Sequence, residues 1–134
     1  MTHSIVNPES LGAQKGYSNG VLTPAGGRVL FVAGQVAWDE KQAVVSDDFA
    51  AQFGQALKNV LAVVGSAGGK PEHVARMTIY VTSKDEYVRA ARAIGERYRQ
   101  QMGRHYPAMT LVEIKALLEA GAKVEIEATA VLPA

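Results

Sequence analysis

Cysteine is absent from this chain of 134 residues, so disulfide bonds, thiolate nucleophiles and thiolate metal sites are excluded. An excess of charge is also lacking, because 14 Lys and Arg against 13 Asp and Glu leave a net charge of +1. So small a charge does not favour nucleic acid or an anionic membrane as a partner. No apolar run approaches the roughly 18 residues that a membrane-spanning helix needs. With no basic and apolar leader either, the chain is predicted to be cytoplasmic.

The sequence also lacks the common motifs of metal and cofactor sites. Its three histidines, His3, His73 and His105, have no spacing that places two of them on one face of a helix or strand, so no metal site is predicted. No serine lies in a Gly-x-Ser-x-Gly motif. The glycine-rich stretch 65–69 follows a helix instead of opening one, which is the wrong polarity for a phosphate cradle. We therefore expect no cofactor.

The chain length predicts one domain that spans residues 1–134. Apolar residues recur at three- and four-residue steps over residues 47–66, which predicts a helix with Ser46 as its N-cap. A capping box at 83–86 predicts a second helix that ends at Gly103. Strand patterns cover residues 17–22, 29–34, 74–81, 108–114 and 123–131. The first two strands are expected to form a hairpin, and the element order is ββαβαββ, an α+β fold.

Two strand–helix–strand units in succession predict that both helices lie on the same face of one mixed sheet. The other face then has no cover from its own chain. On the last strand, Glu125 and Glu127 alternate with apolar residues that pack beneath the helices. Met109 and Glu125 are both expected to point to the uncovered face. Because such a face is normally buried against a partner, we expect a homo-oligomer.

Five segments spread over nearly the whole chain are specific as a set, through their order and spacing. They are Gly16-Tyr17-Ser18-Asn19-Gly20-Val21, Leu30-Phe31-Val32-Ala33-Gly34-Gln35, Gln55-Ala56-Leu57-Lys58-Asn59-Val60, Tyr106-Pro107-Ala108 and Val124-Glu125-Ile126-Glu127-Ala128. Together they resemble the RidA (YjgF-type) family of enamine and imine deaminases, some members of which are named L-PSP endoribonucleases. The resemblance implies a chorismate-mutase-like fold and a homotrimer with a central β-barrel. It also implies small-molecule clefts between subunits, where reactive imines are hydrolysed.

The same resemblance implies which residues form the cleft. The catalytic, water-positioning glutamate is Glu125. The substrate-binding residues are Tyr17, Ala33, Gly34, Ala91, Met109 and Leu111. In the family an arginine that binds substrate carboxylate follows Pro-Ala, and Met109 stands there in this chain. Because a thioether offers no bidentate cationic fork, the usual 2-iminoacids are not the expected substrates.

Two explanations of Met109 remain open. Either another cation replaces the guanidinium, with Arg76 as the nearest candidate, or the cleft takes an uncharged or hydrophobic ligand. Glu125 is likewise either a water-activating carboxylate or a structural acceptor across the subunit seam. The leading hypothesis is a deaminase-like hydrolase, and the alternative is a non-catalytic binding or sensing trimer. RNA cleavage by the cations and aromatics of residues 97–106 is a third hypothesis, which the small net charge disfavours.

Overall fold

The computed structural model describes residues 3–134, so Met1 and Thr2 of the predicted domain lie outside the described residues. Six strands and three α-helices follow one another within these residues. They are β1 (Ser4–Val6), β2 (Gly20–Leu22), β3 (Arg28–Gln35), α1 (Phe49–Ser66), β4 (Val74–Val81), α2 (Lys84–Arg89), α3 (Ala91–Met102), β5 (Ala108–Glu113) and β6 (Val124–Leu132). No helix in this part of the chain is long and apolar enough to cross a membrane.

The main sheet has four strands in the order β3-β6-β4-β5. Strands β4 and β5 are parallel, while β6 runs antiparallel to both β3 and β4. Helix α1 packs on β3 and β6 and beside α3, so that one layer of helices covers one face of the sheet. The α+β fold class and the placement of the helices on one face are therefore confirmed.

The core lies between the sheet and α1, where the apolar stripe of the helix meets the inward side chains of the strands. Leu57 and Val60 of α1 and Val124 and Ile126 of β6 are completely buried. The polar Gln52 is also completely buried. Its side-chain amide donates hydrogen bonds to the carbonyls of Ser46 and Gly121 at 2.7 and 2.9 Å. Because its carbonyl also accepts from the Lys123 amide at 2.8 Å, this side chain joins α1 to the loop that precedes β6.

The N-cap of α1 differs from the prediction. Asp48, not Ser46, is the N-cap, since its carboxylate accepts from the amide of Ala51 at 2.9 Å. The hydroxyl oxygen of Ser46 accepts instead from the backbone amide of Asp48, at 3.0 Å. Three consecutive polar residues can each supply a capping oxygen, and the composition alone does not choose among them.

The expected hairpin of the first two strands is wrong. Strand β2 pairs with β1, with Ile5 opposite Val21, and β3 pairs with β6, with Phe31 opposite Thr129. The turn-rich residues 23–27 therefore carry the chain from the small sheet to the main one. Local turn composition predicts that the chain changes direction but does not fix the partner of each strand.

The second predicted helix is divided in two. Ser83 caps α2 by accepting from the amide of Glu86 at 3.1 Å, as the capping box predicts. The helix breaks at Ala90, where φ is −92° and ψ is 5°, and α3 continues to the predicted stop at Gly103. Ile94 and Tyr98 of the predicted stripe are buried, whereas Ala91 is exposed beside a pocket described below.

The predicted orientation of Met109 is wrong. In the parallel pair β4–β5, Met109 lies opposite Met77, and Leu111 lies opposite Ile79. Met77 and Ile79 are buried beneath the helices, so Met109 and Leu111 point to the helix layer too. Glu125 lies opposite Tyr80 and therefore points to the uncovered face, as expected. Apolar residues occur at both parities of β5, and for this reason the alternation does not show which set is buried.

Candidate active site

A pocket between the sheet and α3 contains Met109. Its cavity measures about 150 Å³, and its wall is mainly apolar and aromatic. The wall is formed by Phe53, Ile79, Tyr87, Ile94, Tyr98 and Met109. Burial raises the pKa of Tyr87 and of Tyr98, so both phenols stay neutral over the physiological range. This pocket is called the Met109 pocket below.

The chain that precedes β2 closes one side of the Met109 pocket. Ser18 forms a parallel β-bridge with Ala108. Its backbone amide donates a hydrogen bond to the carbonyl of Pro107 at 3.1 Å, and its hydroxyl donates one to the carbonyl of Tyr106. These contacts hold Gly16 at the wall of the pocket and Tyr17 in the adjoining groove beside Tyr106. Tyr17, which is 37% exposed, is thus positioned at the entrance rather than inside.

Tyr98 and Tyr106 form one end of the pocket. Their rings stack with centroids 5.3 Å apart and planes 9° apart. The hydroxyl of Tyr98 donates to the carbonyl of His105 at 2.6 Å, which satisfies the polar end of a buried side chain. The hydroxyl of Tyr98 is therefore already occupied within the chain.

Arg99 lines the same pocket, and the sequence analysis missed it. Ala91, Gly95 and Arg99 are spaced four residues apart on α3 and line the pocket together. A side chain at Gly95 would lie only 3.1 Å from Nη1 of Arg99, so the glycine leaves the room that the guanidinium uses. The pattern small–small–arginine at this spacing was the available signal.

Arg76, the nearest candidate for a cation that replaces the missing arginine, lies elsewhere. It is exposed on the uncovered face of β4, in a groove of about 340 Å³ that also contains Thr78, Thr110 and Glu127. Met109 points to the opposite face. Within one subunit, Arg76 therefore cannot serve a ligand that contacts Met109.

Glu125 lies against Gly34, and the structure brings these two predicted site residues together. A β-bulge between Val32 and Gln35 places Gly34 so close to the carboxylate that a Cβ there would approach Oε2 to 2.6 Å. Glycine at position 34 thus lets the carboxylate lie across the backbone of β3. Ala33 is exposed beside it on the bulge.

Glu127 has a separate, structural contact. It accepts a hydrogen bond from the hydroxyl of Tyr80, and this bond is the main reason why the pKa of Tyr80 is raised. The pair lies on the uncovered face, in the groove that contains Arg76. Within residues 3–134 Glu127 is hydrogen-bonded and Glu125 is not, which is consistent with different roles for the two carboxylates.

The predicted site residues therefore fall into two groups in one subunit. Met109, Ala91 and Leu111 lie on the helix side of the sheet, with Tyr17 at the entrance of their pocket. Glu125 and Gly34 lie together away from them, with Ala33 on the same bulge. Among residues 3–134 no three His, Asp or Glu side chains are grouped closely enough to hold a metal ion.

The sequence is similar to those of known proteins over most of its length. A sequence model described as Endoribonuclease L-PSP matches residues 7–132. The 2-iminobutanoate/2-iminopropanoate deaminase of Salmonella typhimurium is 33% identical over 105 residues, which cover 78% of this chain and 80% of the relative. Protein DfrA of Myxococcus xanthus is 33% identical over 130 residues, or 96% of this chain and 92% of the relative.

The structural likeness is similarly broad. A Rid-family protein of unknown function from Yersinia pestis, YyfB, superposes with a TM-score of 0.85 at 33% identity, covering 98% of this chain and 100% of the other. The matched fold and the extent of the sequence matches define a Rid-type α+β protein. The chain belongs to the Endoribonuclease L-PSP family, also known as the RidA or YjgF-type family.

Proposed function

We propose that the protein is a deaminase-like hydrolase of small imines or enamines, that it is a homotrimer, and that its active cleft forms between neighbouring subunits. The proposal treats residues 1–134 as one domain with a cytoplasmic location. The observation that carries it is the pairing of Glu125 with Gly34 in a chain whose relatives include a named imine deaminase. A carboxylate held at a fixed backbone position beside a bulge is suited to orient water.

The separation of the two groups supports a cleft between subunits. Since Met109 and Glu125 point to opposite faces of one sheet, no ligand of a few ångströms contacts both in a single chain. A second copy that covers the sheet can bring its Glu125 to the Met109 pocket of its neighbour. The proposed site thus takes Ala91, Met109 and Leu111 from one subunit, and Ala33, Gly34 and Glu125 from the next.

The proposed reaction consumes one water. The oxygen of water adds to the imine carbon, the carbon–nitrogen bond then breaks, and the products are a carbonyl compound and ammonia. Glu125 accepts a hydrogen bond from the attacking water and passes the released proton toward the departing nitrogen. The chain needs no other reactant for this step.

The proposed substrate differs from the short 2-iminoacids named for the Salmonella relative. Met109 supplies a polarisable, apolar surface, and the pocket around it is lined by aromatic and aliphatic side chains. Without a guanidinium at position 109, a carboxylate directly bonded to the imine carbon lacks its charged partner there. Substrates with a larger apolar part are expected to be preferred.

Rates of imine hydrolysis test this proposal. Imines are generated in situ from a series of amino acids that runs from alanine to phenylalanine, and their decay is followed with and without the protein. We expect negligible hydrolysis of 2-iminobutanoate and faster hydrolysis of the bulkier imines. The Met109→Arg variant should gain activity on 2-iminobutanoate, whereas Glu125→Gln should lose activity on every substrate.

A rate on 2-iminobutanoate equal to that of the Salmonella relative would contradict the proposed specificity. Inactivity of the wild type on the whole series, with ligand binding retained, would instead support a non-catalytic binding trimer. RNA cleavage has less support in the structure, because Tyr98 is buried and its hydroxyl is occupied. Equal nuclease activity in an Arg97, Arg99 and Arg104 triple variant would identify such cleavage as contamination.

A further inference from the structure

Among residues 3–134, one charged side chain lines the Met109 pocket, and the other lining residues are apolar or neutral. Arg99 reaches this pocket from α3, folding back over Gly95. In the described part of the chain the ion pair is Lys123–Glu86, and no carboxylate lies within 4.0 Å of the Arg99 guanidinium. A guanidinium without a carboxylate partner retains donors for an anion.

The rest of the wall cannot supply a competing charge. Tyr87 and Tyr98 are neutral phenols, and burial raises their pKa values further above the physiological range. The other side chains of the wall contribute hydrocarbon, aromatic rings and the thioether of Met109. At about 150 Å³ the cavity is comparable to an engineered cavity that holds benzene. Its size and polarity fit a compact apolar body that carries one anionic group.

We propose that Arg99 is a specificity-determining residue that binds the carboxylate of a compact aromatic or branched apolar acid, whose body contacts Met109. The cation thus comes from a helix, not from position 109 on β5. This inference deepens the proposed function and rests on it for the identity of the pocket as a substrate site. The substrate class is then an acid whose carboxylate binds Arg99 and whose apolar body lies between Arg99 and the rest of the cleft.

Binding of benzoate, compared with its neutral isostere benzamide, tests the inference. The intact protein is labelled with ¹³C at the methionine methyl groups, and the resonance of Met109 is assigned with the Met109→Leu variant. Ring currents from bound benzoate should shift this methyl resonance. Benzamide should bind at least roughly tenfold more weakly, because a neutral amide cannot form an ion pair with the guanidinium of Arg99.

The variants isolate the contribution of Arg99. Arg99→Met should weaken benzoate binding by roughly ten- to a hundredfold, and Arg99→Lys, which keeps a cation, should weaken it less. Arg97→Met is the matched control, since Arg97 is on the same helix but packs against Gly54 of α1 and lines a different groove. Circular dichroism checks that each variant is folded, as expected for exposed side chains.

Three results would overturn the inference: equal binding of benzoate and benzamide, unchanged binding in Arg99→Met, or no benzoate-induced shift of the Met109 methyl resonance. The outcome is independent of turnover, because benzoate binding is measured without any imine substrate. Loss of imine hydrolysis alone would therefore count against the proposed reaction, and loss of benzoate binding against the role of Arg99.

Discussion

Gly34 and Glu125 show how a single missing side chain shapes the candidate site. A Cβ at position 34 would lie 2.6 Å from Oε2 and 3.0 Å from Cγ of Glu125. Gly34→Ala should therefore displace the carboxylate and lower the free energy of unfolding by about 1 kcal/mol, the lower end of overpacking costs. In a Glu125→Ala background the obstructing atoms are gone, so the same substitution should cost almost nothing.

Urea denaturation of the wild type, the two single variants and the double variant, all at the same protein concentration, measures this coupling. An interaction energy near zero, with Gly34→Ala equally costly in both backgrounds, would show that Gly34 is required for a reason other than Glu125. The activity of Gly34→Ala should fall with that of Glu125→Gln, because both variants remove the carboxylate from its position.

At the scale of elements, the turn that leads into β4 contains a titratable switch of stability. His73 is 8% exposed, and its Nδ1 accepts a hydrogen bond from the amide of Lys70 at 2.9 Å, a contact that requires an unprotonated nitrogen. Burial is the main cause that lowers the pKa of His73 below 6.5. The unfolded state therefore binds the proton more readily, so stability should fall as the pH drops below 6.5.

His73→Asn isolates this effect, because the amide oxygen of asparagine can accept from Lys70 but does not titrate. The free energy of unfolding, measured from neutral pH downward through the window below 6.5, should fall less steeply in the variant. Identical pH profiles for the two proteins would mean that His73 does not contribute.

The sequence predicts the bounds of strands and helices better than it predicts which strands pair in the sheet. Strand β4 begins and ends where its alternation predicts, at Val74 and Val81, because one parity is clearly apolar. The pairing of β3 with β6 could not be predicted, since nothing local in either strand encodes a partner about a hundred residues away. The alternation of β5 predicts the wrong face for Met109 for a related reason, because the strand is apolar at both parities.

For the candidate site, sequence patterns named the residues but not their grouping. Glu125 and Gly34 came from separate motifs, and only the bulge in β3 shows that they touch. The charge pattern of α3 predicts a solvent-exposed face, and it therefore does not single out Arg99. The spacing of Ala91, Gly95 and Arg99 is present in the sequence, but only the pocket shows that Gly95 gives the arginine its room.

At the scale of the whole molecule, the uncovered face of the sheet is the surface on which we propose that the subunits meet. Phe31 and Val29 of β3 are 78% and 56% exposed on this face, beyond what an isolated chain in water favours. We predict a trimer, and Phe31→Asp should dissociate it to monomers because it places a charge among apolar side chains. Sedimentation velocity provides the masses.

Val88→Asp is the matched control for that experiment. Val88 is 67% exposed, but it lies on α2 in the helix layer, away from the open sheet face. The control should keep the mass of the wild type. A wild type that sediments as a monomer, or a Phe31→Asp variant that keeps its trimeric mass, would contradict this assignment of the interface.

The most direct test of the account is complementation between two inactive variants. Ala91→Trp blocks the Met109 pocket, and Glu125→Gln removes the carboxylate, so each homotrimer should be inactive on the best imine substrate. If each cleft combines one group from each of two subunits, trimers assembled from an equal mixture should regain about a quarter of the wild-type sites by random association. No recovery after confirmed mixing, or a wild type that hydrolyses no imine, would contradict the central claim that the cleft is catalytic and shared.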